Sequence, residues 1–248
     1  FFEDLTVDTG GPVFSFKGQI TGLPEQVGIH GDVEFREMPF AKLKNYWPEL
    51  LMANARPWIL SNVLDGIITR FSVALNVAPG EIDLVKTGQR PDSLFVTYEF
   101  RDATVNYFPG QPYAVGVDGN GHIDSSSMTL HLRDGTIEDL YAPTGIALIS
   151  DIMLDSAMLT IIGNVEGPAE NAIRLLDRPG LEVPSAIGFK ADQFTGHVSA
   201  ELGVQLPFRS NVRLDEAQFA AVARLSDLSV RNLFGDRDIN QGNLRLIL

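Results

Sequence analysis

Along most of this chain hydrophobic residues recur at every second position. Phe14, Phe16, Gly18 and Ile20 fall to one side, and Ser15, Lys17 and Gln19 to the other. Val27, Ile29, Gly31, Val33 and Phe35 alternate in the same way with Gly28, His30, Asp32, Glu34 and Arg36. Successive side chains of a strand point to opposite faces, so this spacing predicts half-buried antiparallel strands. The pattern returns at Phe71/Val73/Leu75/Val77, Leu94/Val96/Tyr98/Phe100 and Ala103/Val105/Tyr107, then at Met128/Leu130/Leu132 and Ile146/Leu148. It closes with Val198/Ala200/Leu202/Val204/Leu206 and a last pair around 212–214 and 219–228. Pro79-Gly80, Asp118-Gly119-Asn120-Gly121 and Asp134-Gly135 read as the turns between them. Roughly a dozen short strands at meander spacing predict a mostly β, antiparallel architecture.

Two places break the period. Between 40 and 65 the apolar spacing becomes helical, through Leu43, Trp47, Leu50 and Leu51 and then Trp58, Ile59 and Val63. Pro48 and Pro57 lack the N–H that a helix interior needs, which predicts short helices interrupted at the prolines, and Asp65-Gly66 reads as the stop. The second break is a short helix over 169–176, entered at Pro168 and stopped by Arg178-Pro179-Gly180. Weak alternation over 179–192 suggests a linker between a first unit, 1–178, and a further β segment, 193–248. Phe1-Phe2 at one end and the run Leu244-Arg245-Leu246-Ile247-Leu248 at the other read as cuts from a longer chain.

Composition narrows the function classes. Nineteen basic against 32 acidic residues give a net charge of −13, which argues against nucleic acid or an anionic membrane surface as partner. With no cysteine, disulfides, thiolate metal sites and cysteine nucleophiles are excluded. No apolar run approaches the roughly 18 residues of a membrane helix.

Candidate chemistry is sparse. Asp118-Gly119-Asn120-Gly121-His122-Ile123-Asp124 loosely follows a calcium loop, but Ile123 and Thr129 stand where that loop requires Gly and Glu, so a hairpin turn is the simpler reading. His30, His122, His131 and His197 are not spaced as metal ligands. Glu138 and Asp139, adjacent in a strand, would face opposite ways, and no paired-carboxylate, nucleophile-elbow or phosphate-loop motif appears. The expectation is a protein without catalysis, metal or cofactor.

Two ordered motifs look familiar. Trp47-Pro48-Glu49-Leu50-Leu51, then Ala55-Arg56-Pro57-Trp58-Ile59 and Gly66, form the first; Val105 to Pro112, containing Pro109, followed by Gly116-Val117-Asp118-Gly119, form the second. Together they resemble the AsmA-like family, in particular the central region of YhdP-type proteins related to TamB, over roughly residues 27–180. The resemblance implies a twisted open sheet or groove (β-taco-like) with two short helical insertions. It implies a segment of a periplasmic bridge, its parent protein anchored in the inner membrane, whose groove shields phospholipid or other acyl lipid between the two membranes. Partners would then be the lipid and the remaining segments of the same parent chain.

On that reading Phe14, Phe16, Ile29, Val33, Phe35, Phe71, Val73 and Leu75 line the groove. Trp47, Pro48, Arg56, Trp58, Gly66, Pro109 and Gly119 are motif residues with structural roles; the tryptophans anchor the short helices and Arg56 caps a helix end or pairs with a carboxylate. A β-sandwich module that presents loops to a protein, with no lipid ligand, is the rival from another class, and a carbohydrate-active enzyme ranks below both. A sandwich also needs one apolar face per strand, so alternation alone does not separate the first two.

Overall fold

A computed structural model of the chain describes residues 1–8, 10, 12–22, 26–47, 55–81, 95–108, 110–124, 126–152, 154, 156–179, 181–209, 212–232 and 237–247. Pro48, Pro109 and Leu94, singled out above, lie outside the described residues. The described strands are β1 (Phe2–Asp8), β2 (Val13–Thr21), β3 (Gly28–Pro39), β4 (Val63–Val77), β5 (Phe95–Val105) and β6 (Ala114–Ile123). They continue as β7 (Ser127–Ile137), β8 (Leu140–Ser150), β9 (Met158–Pro168), β10 (Phe194–Pro207), β11 (Gln218–Val230) and β12 (Ile239–Ile247). All twelve form one antiparallel sheet in strict chain order, open at β1 and β12. The mostly β, open architecture is thus as expected, and a two-sheet sandwich is not what these residues build.

Among the described residues four α-helices interrupt the meander. α1 (Phe40–Leu43) and α2 (Ala55–Asn62) lie between β3 and β4, while α3 (Ala169–Leu176) and α4 (Val183–Ala186) connect β9 to β10. The sheet runs on unbroken across residues 179–192, because β9 pairs with β10 along its whole length, from Met158↔Pro207 to Pro168↔His197.

Four expectations are corrected. Pro57 does not break a helix: it is the third residue of α2, within the first turn, where a backbone N–H has no intrahelical partner to lose. Gly66 does not stop that helix, which ends at Asn62; it lies inside β4 with φ of +116°, and a Cβ there would sit 2.7 Å from the Cα of Ala103. Asp118 to Gly121 and Asp134-Gly135 are strand, not turn. Gly119 is buried beneath the Phe100 ring, whose Cζ would lie 2.5 Å from an added Cβ.

The actual β6–β7 turn follows Asp124, whose carboxylate accepts the backbone N–H groups of Ser126 (2.7 Å) and Ser127 (2.8 Å) and is held down to about 2 by those bonds. Glu138 and Asp139 make the β7–β8 turn. Lastly, 212–214 is not a strand, and β11 pairs with β12 instead. Four strands, β1, β6, β9 and β12, are additions to the sequence reading.

The sheet curls. β4 and β10 are six strands apart, ~29 Å along a flat sheet at ~4.8 Å per strand. Yet Trp58 of α2, a helix only ~12 Å long, leaves its neighbours β3 and β4 to meet Phe208, just past β10, with ring centroids 5.4 Å apart. One core cluster accordingly joins Leu43, Ala55 and Ile59 of the helices to Met38, Ile68, Val96, Ile149, Leu159 and Phe208. The side bearing α1 and α2 is the inner, concave face.

Candidate functional site

Cross-strand pairing turns the alternation into rows. One row runs Leu5–Phe16–Val33–Val73–Val96–Ile123–Met128–Ile149–Leu159–Leu206, each residue opposite the next across ten strands. Beside it runs Val7–Phe14–Phe35–Phe71–Tyr98–Gly121–Leu130–Ala147–Ile161–Val204–Phe219 across eleven. No charged side chain enters either row. Opposed residues of antiparallel strands share a face, so both rows line the same concave surface.

All eight residues expected to line a groove lie on this face of β2–β4. Phe35 stacks on Phe71 at 4.5 Å between ring centroids, and Phe14 leans on Phe35 at 5.6 Å. Ile29 pairs with Val77 and Ile20, and Leu75 with Gly31. The one hydroxyl in the rows, Tyr98 Oη, donates to the Thr129 carbonyl (3.3 Å), and burial pushes its pKa up, so it is neutral. Its ring packs over Gly121, where an added Cβ would come within 2.6 Å of that hydroxyl.

The opposite face is largely polar over β2–β7 and carries the exposed apolar residues Ile146, Leu148 and Ile162 on β8 and β9. Its rows include Ser15–Glu34–Ser72–Thr97–His122–Thr129 and Arg36–Arg70–Glu99–Asn120–His131. Glu34 accepts from Arg36 (2.6 Å) and Arg70 (3.0 Å), and these bonds, Arg36 first, hold its carboxyl below the usual range. A cleft of about 480 Å³ on this face is lined by Asp32, Glu34, Arg36 and Lys17 among others; its chemistry suits water and ions, not acyl chains. His30 meets Asn76 (3.2 Å) and His122 stacks on Phe95 (5.8 Å). Among the described residues no three His, Asp or Glu side chains converge as a metal-binding group. No helix among them is long and apolar enough to cross a membrane.

The motif residues gather about the helices. Arg56 Nε donates to the Trp47 carbonyl (3.2 Å), tying the start of α2 to the turn that follows α1. Asn62 Nδ2 donates to the Trp58 carbonyl (2.9 Å), and the Asn62 carbonyl accepts from the Asn106 N–H (2.8 Å), tying the end of α2 to the end of β5. Tyr46 reaches back to Phe14 at 5.1 Å, so the insertion spans the concave face from β2 to the end of β10. Tyr107, in the second motif, is a half-buried phenol whose pKa is pushed up to about 12 by loss of solvent around it.

Sequence reasoning missed the two ends of the rows. Leu5 and Val7 of β1, and Phe219, Leu244 and Leu246 of β11 and β12, extend the apolar face to both open edges and are exposed. Leu159, Ile161, Gly163 and Val165 of β9 alternate with Thr160, Asn164 and Glu166, a legible signal masked by Ile162 on the outer face. Phe208 carried no signal, because it follows Pro207 outside any period.

Comparison with known proteins gives one finding. The family model described as YhdP protein matches residues 21–236. No curated protein matches, and no solved structure matches.

Proposed function

Since the chain belongs to the YhdP family, we propose that it is a non-catalytic segment of a lipid-transfer protein of the cell envelope, its concave face shielding phospholipid acyl chains as they cross the periplasm between the two membranes. The observation that carries this reading is the pair of apolar rows, continuous over ten and eleven strands and bare of any second sheet. The middle of this face is covered by α1 and α2, but its flanks at Leu5, Val7, Phe219 and Leu246 are exposed, and apolar surface left open in this way marks a binding site. A methylene removed from water contributes about 0.8 kcal/mol, so acyl chains laid along the rows would do what a second sheet does in a sandwich. The polar outer face of β2–β7 and the charge of −13 suit a segment that meets water on one side and lipid on the other.

The two open edges, β1 and β12, support a continuation of the groove by other segments of the parent chain, since an unpaired strand edge readily accepts another strand. The same surface also fits a module that docks a protein and holds no lipid, and the test separates them. Photoreactive residues placed at Phe219 and Leu246, on the concave face, and at Arg224 and Glu201, on the outer face, are exposed to phosphatidylethanolamine–phosphatidylglycerol vesicles and irradiated. Lipid adducts at the first pair alone are expected. Absence of adducts at all four, or equal labelling of both faces, overturns the reading.

A further inference from the structure

We propose that the outer face of β5–β7 carries a second binding site, for a pyranose oligosaccharide, in which Phe95 is the platform for a sugar ring and Thr97, Glu99, Asn120 and His131 bond its hydroxyls. The site lies on the side of the sheet away from the concave face and does not depend on the lipid reading.

A cleft of about 350 Å³ opens on this face, lined by Phe95, Thr97, Glu99, Asn120, His122 and His131 among others. Register builds it. Thr97 opposes His122, which opposes Thr129, in one row; Glu99 opposes Asn120, which opposes His131, in the next. Phe95, the first residue of β5, is 48% exposed and stacks on the His122 ring, with 5.8 Å between centroids and 28° between planes. Beyond His131 the same row continues into Ile146 and Ile162, both exposed. A floor of polar side chains thus lies between an aromatic wall and an aliphatic step.

These polar side chains differ from their neighbours in being unpaired. On either side of the cleft the outer face bonds across its strands: His30 with Asn76 and Glu34 with Arg70 on β3 and β4, Asn164 with Thr144 and Gln205 with Thr160 on β8 to β10. Among the described residues, the side chains of Thr97, Glu99, Asn120 and His131 make no hydrogen bond or ion pair. Their chemistry selects the ligand. Arg70, at the margin, is engaged by Glu34 (3.0 Å), so an anion would meet the Glu99 carboxylate with no free cation to offset it. A metal ion would find one carboxylate where it needs several oxygens. Vicinal hydroxyls match the set, because they donate to a carboxylate and accept from an amide or imidazole N–H. The electron-rich face of Phe95 favours the C–H side of a flat ring, which a pyranose presents together with its hydroxyls. Successive rings of a sugar chain advance by close to the strand spacing of ~4.8 Å, so a chain laid across the strands meets one row position per ring.

The four histidines of the chain supply an internal control, two in the cleft and two outside it. Their imidazole resonances are followed by NMR in the full chain as cellotetraose or chitotetraose is added. Saturable shifts of His122 and His131, with His30 and His197 unmoved, are expected with one or both tetrasaccharides. Sorbitol, which has the hydroxyls but no ring, is expected to shift none. Phe95→Ala should weaken binding by about tenfold, the order of an aromatic stacking contact, whereas Phe95→Trp should preserve it; unchanged His30 and His197 signals show that both variants are folded. The site is overturned by an absence of shifts at His122 and His131 with either sugar, by equal shifts with sorbitol, by movement of all four histidines together, or by unaltered affinity in Phe95→Ala.

Discussion

Single residues carry more of this fold than their types suggest, and Gly66 is the clearest case. Its φ of +116° lies where side-chain-bearing residues are strained, and an added Cβ would meet the Ala103 backbone at 2.7 Å. Three register irregularities fall between Val63 and Arg70 in the β4–β5 pairing, so the backbones crowd here with little freedom to separate. Gly66→Ala is therefore expected to cost on the order of 1–3 kcal/mol through backbone strain alone, read as a lowered denaturation midpoint. An unchanged midpoint would mean that the close approach to β5 is not real. The sequence marked this glycine but not its job: a helix stop and a strand residue at a close approach use the same residue type. Gly119 misled in the same way. The lining residues were legible because period 2 needs no knowledge of partners; that Gly121 is roofed by Tyr98 depends on a register no single strand reveals.

At the scale of elements, the contrast lies between strands and the helical insertion. Strand identity came through wherever apolar and polar residues alternated cleanly, and failed at β9, where Ile162 on the outer face blurs the alternation, at β6, whose glycines read as a turn, and at β1 and β12, which lie at the edges. α1, α2 and α3 were visible as a change of period, and α3 was legible to its boundaries because Pro168 and the residues after Leu176 punctuate it, whereas α4 fell inside the stretch read as a linker. Pro57 was the misjudged feature. Proline breaks a helix only where its missing N–H and its ring oppose an existing turn; as third residue of α2 it opposes neither and restricts the unfolded chain. Pro57→Ala is accordingly expected to destabilise the protein slightly, by roughly 0.4–1 kcal/mol. A stabilisation of around 3 kcal/mol, the relief of a true interior proline, would show that the helix is in fact broken there. Equilibrium denaturation of the two proteins decides between these signs.

For the molecule as a whole, the open sheet raises a question that its strands cannot answer separately: what keeps a twelve-stranded sheet folded with one face uncovered. The middle is dry because the sheet curls over α1 and α2, a fact hidden from the sequence because it joins residues as distant as Trp58 and Phe208. Both tryptophans of the chain, Trp47 and Trp58, belong to the insertion and its following turn. Intrinsic fluorescence therefore reports the insertion, while far-ultraviolet circular dichroism reports mainly the sheet.

In buffer, removing the insertion would wet Val96, Ile149 and Leu159 together, so insertion and sheet stabilise each other and the two signals should unfold in a single coincident transition. Phospholipid micelles change the balance, because acyl chains can cover the same residues. The tryptophan signal is then expected to move at a denaturant concentration well below that of the sheet, or before any denaturant is added. Coincident transitions in both media would mean that the helices are a permanent part of the core, whereas separated transitions in buffer alone would mean that the sheet needs no cover at its centre. Only the first pattern, coincidence without lipid and separation with it, fits a sheet whose inner face is shared in turn by its own helices and by its cargo.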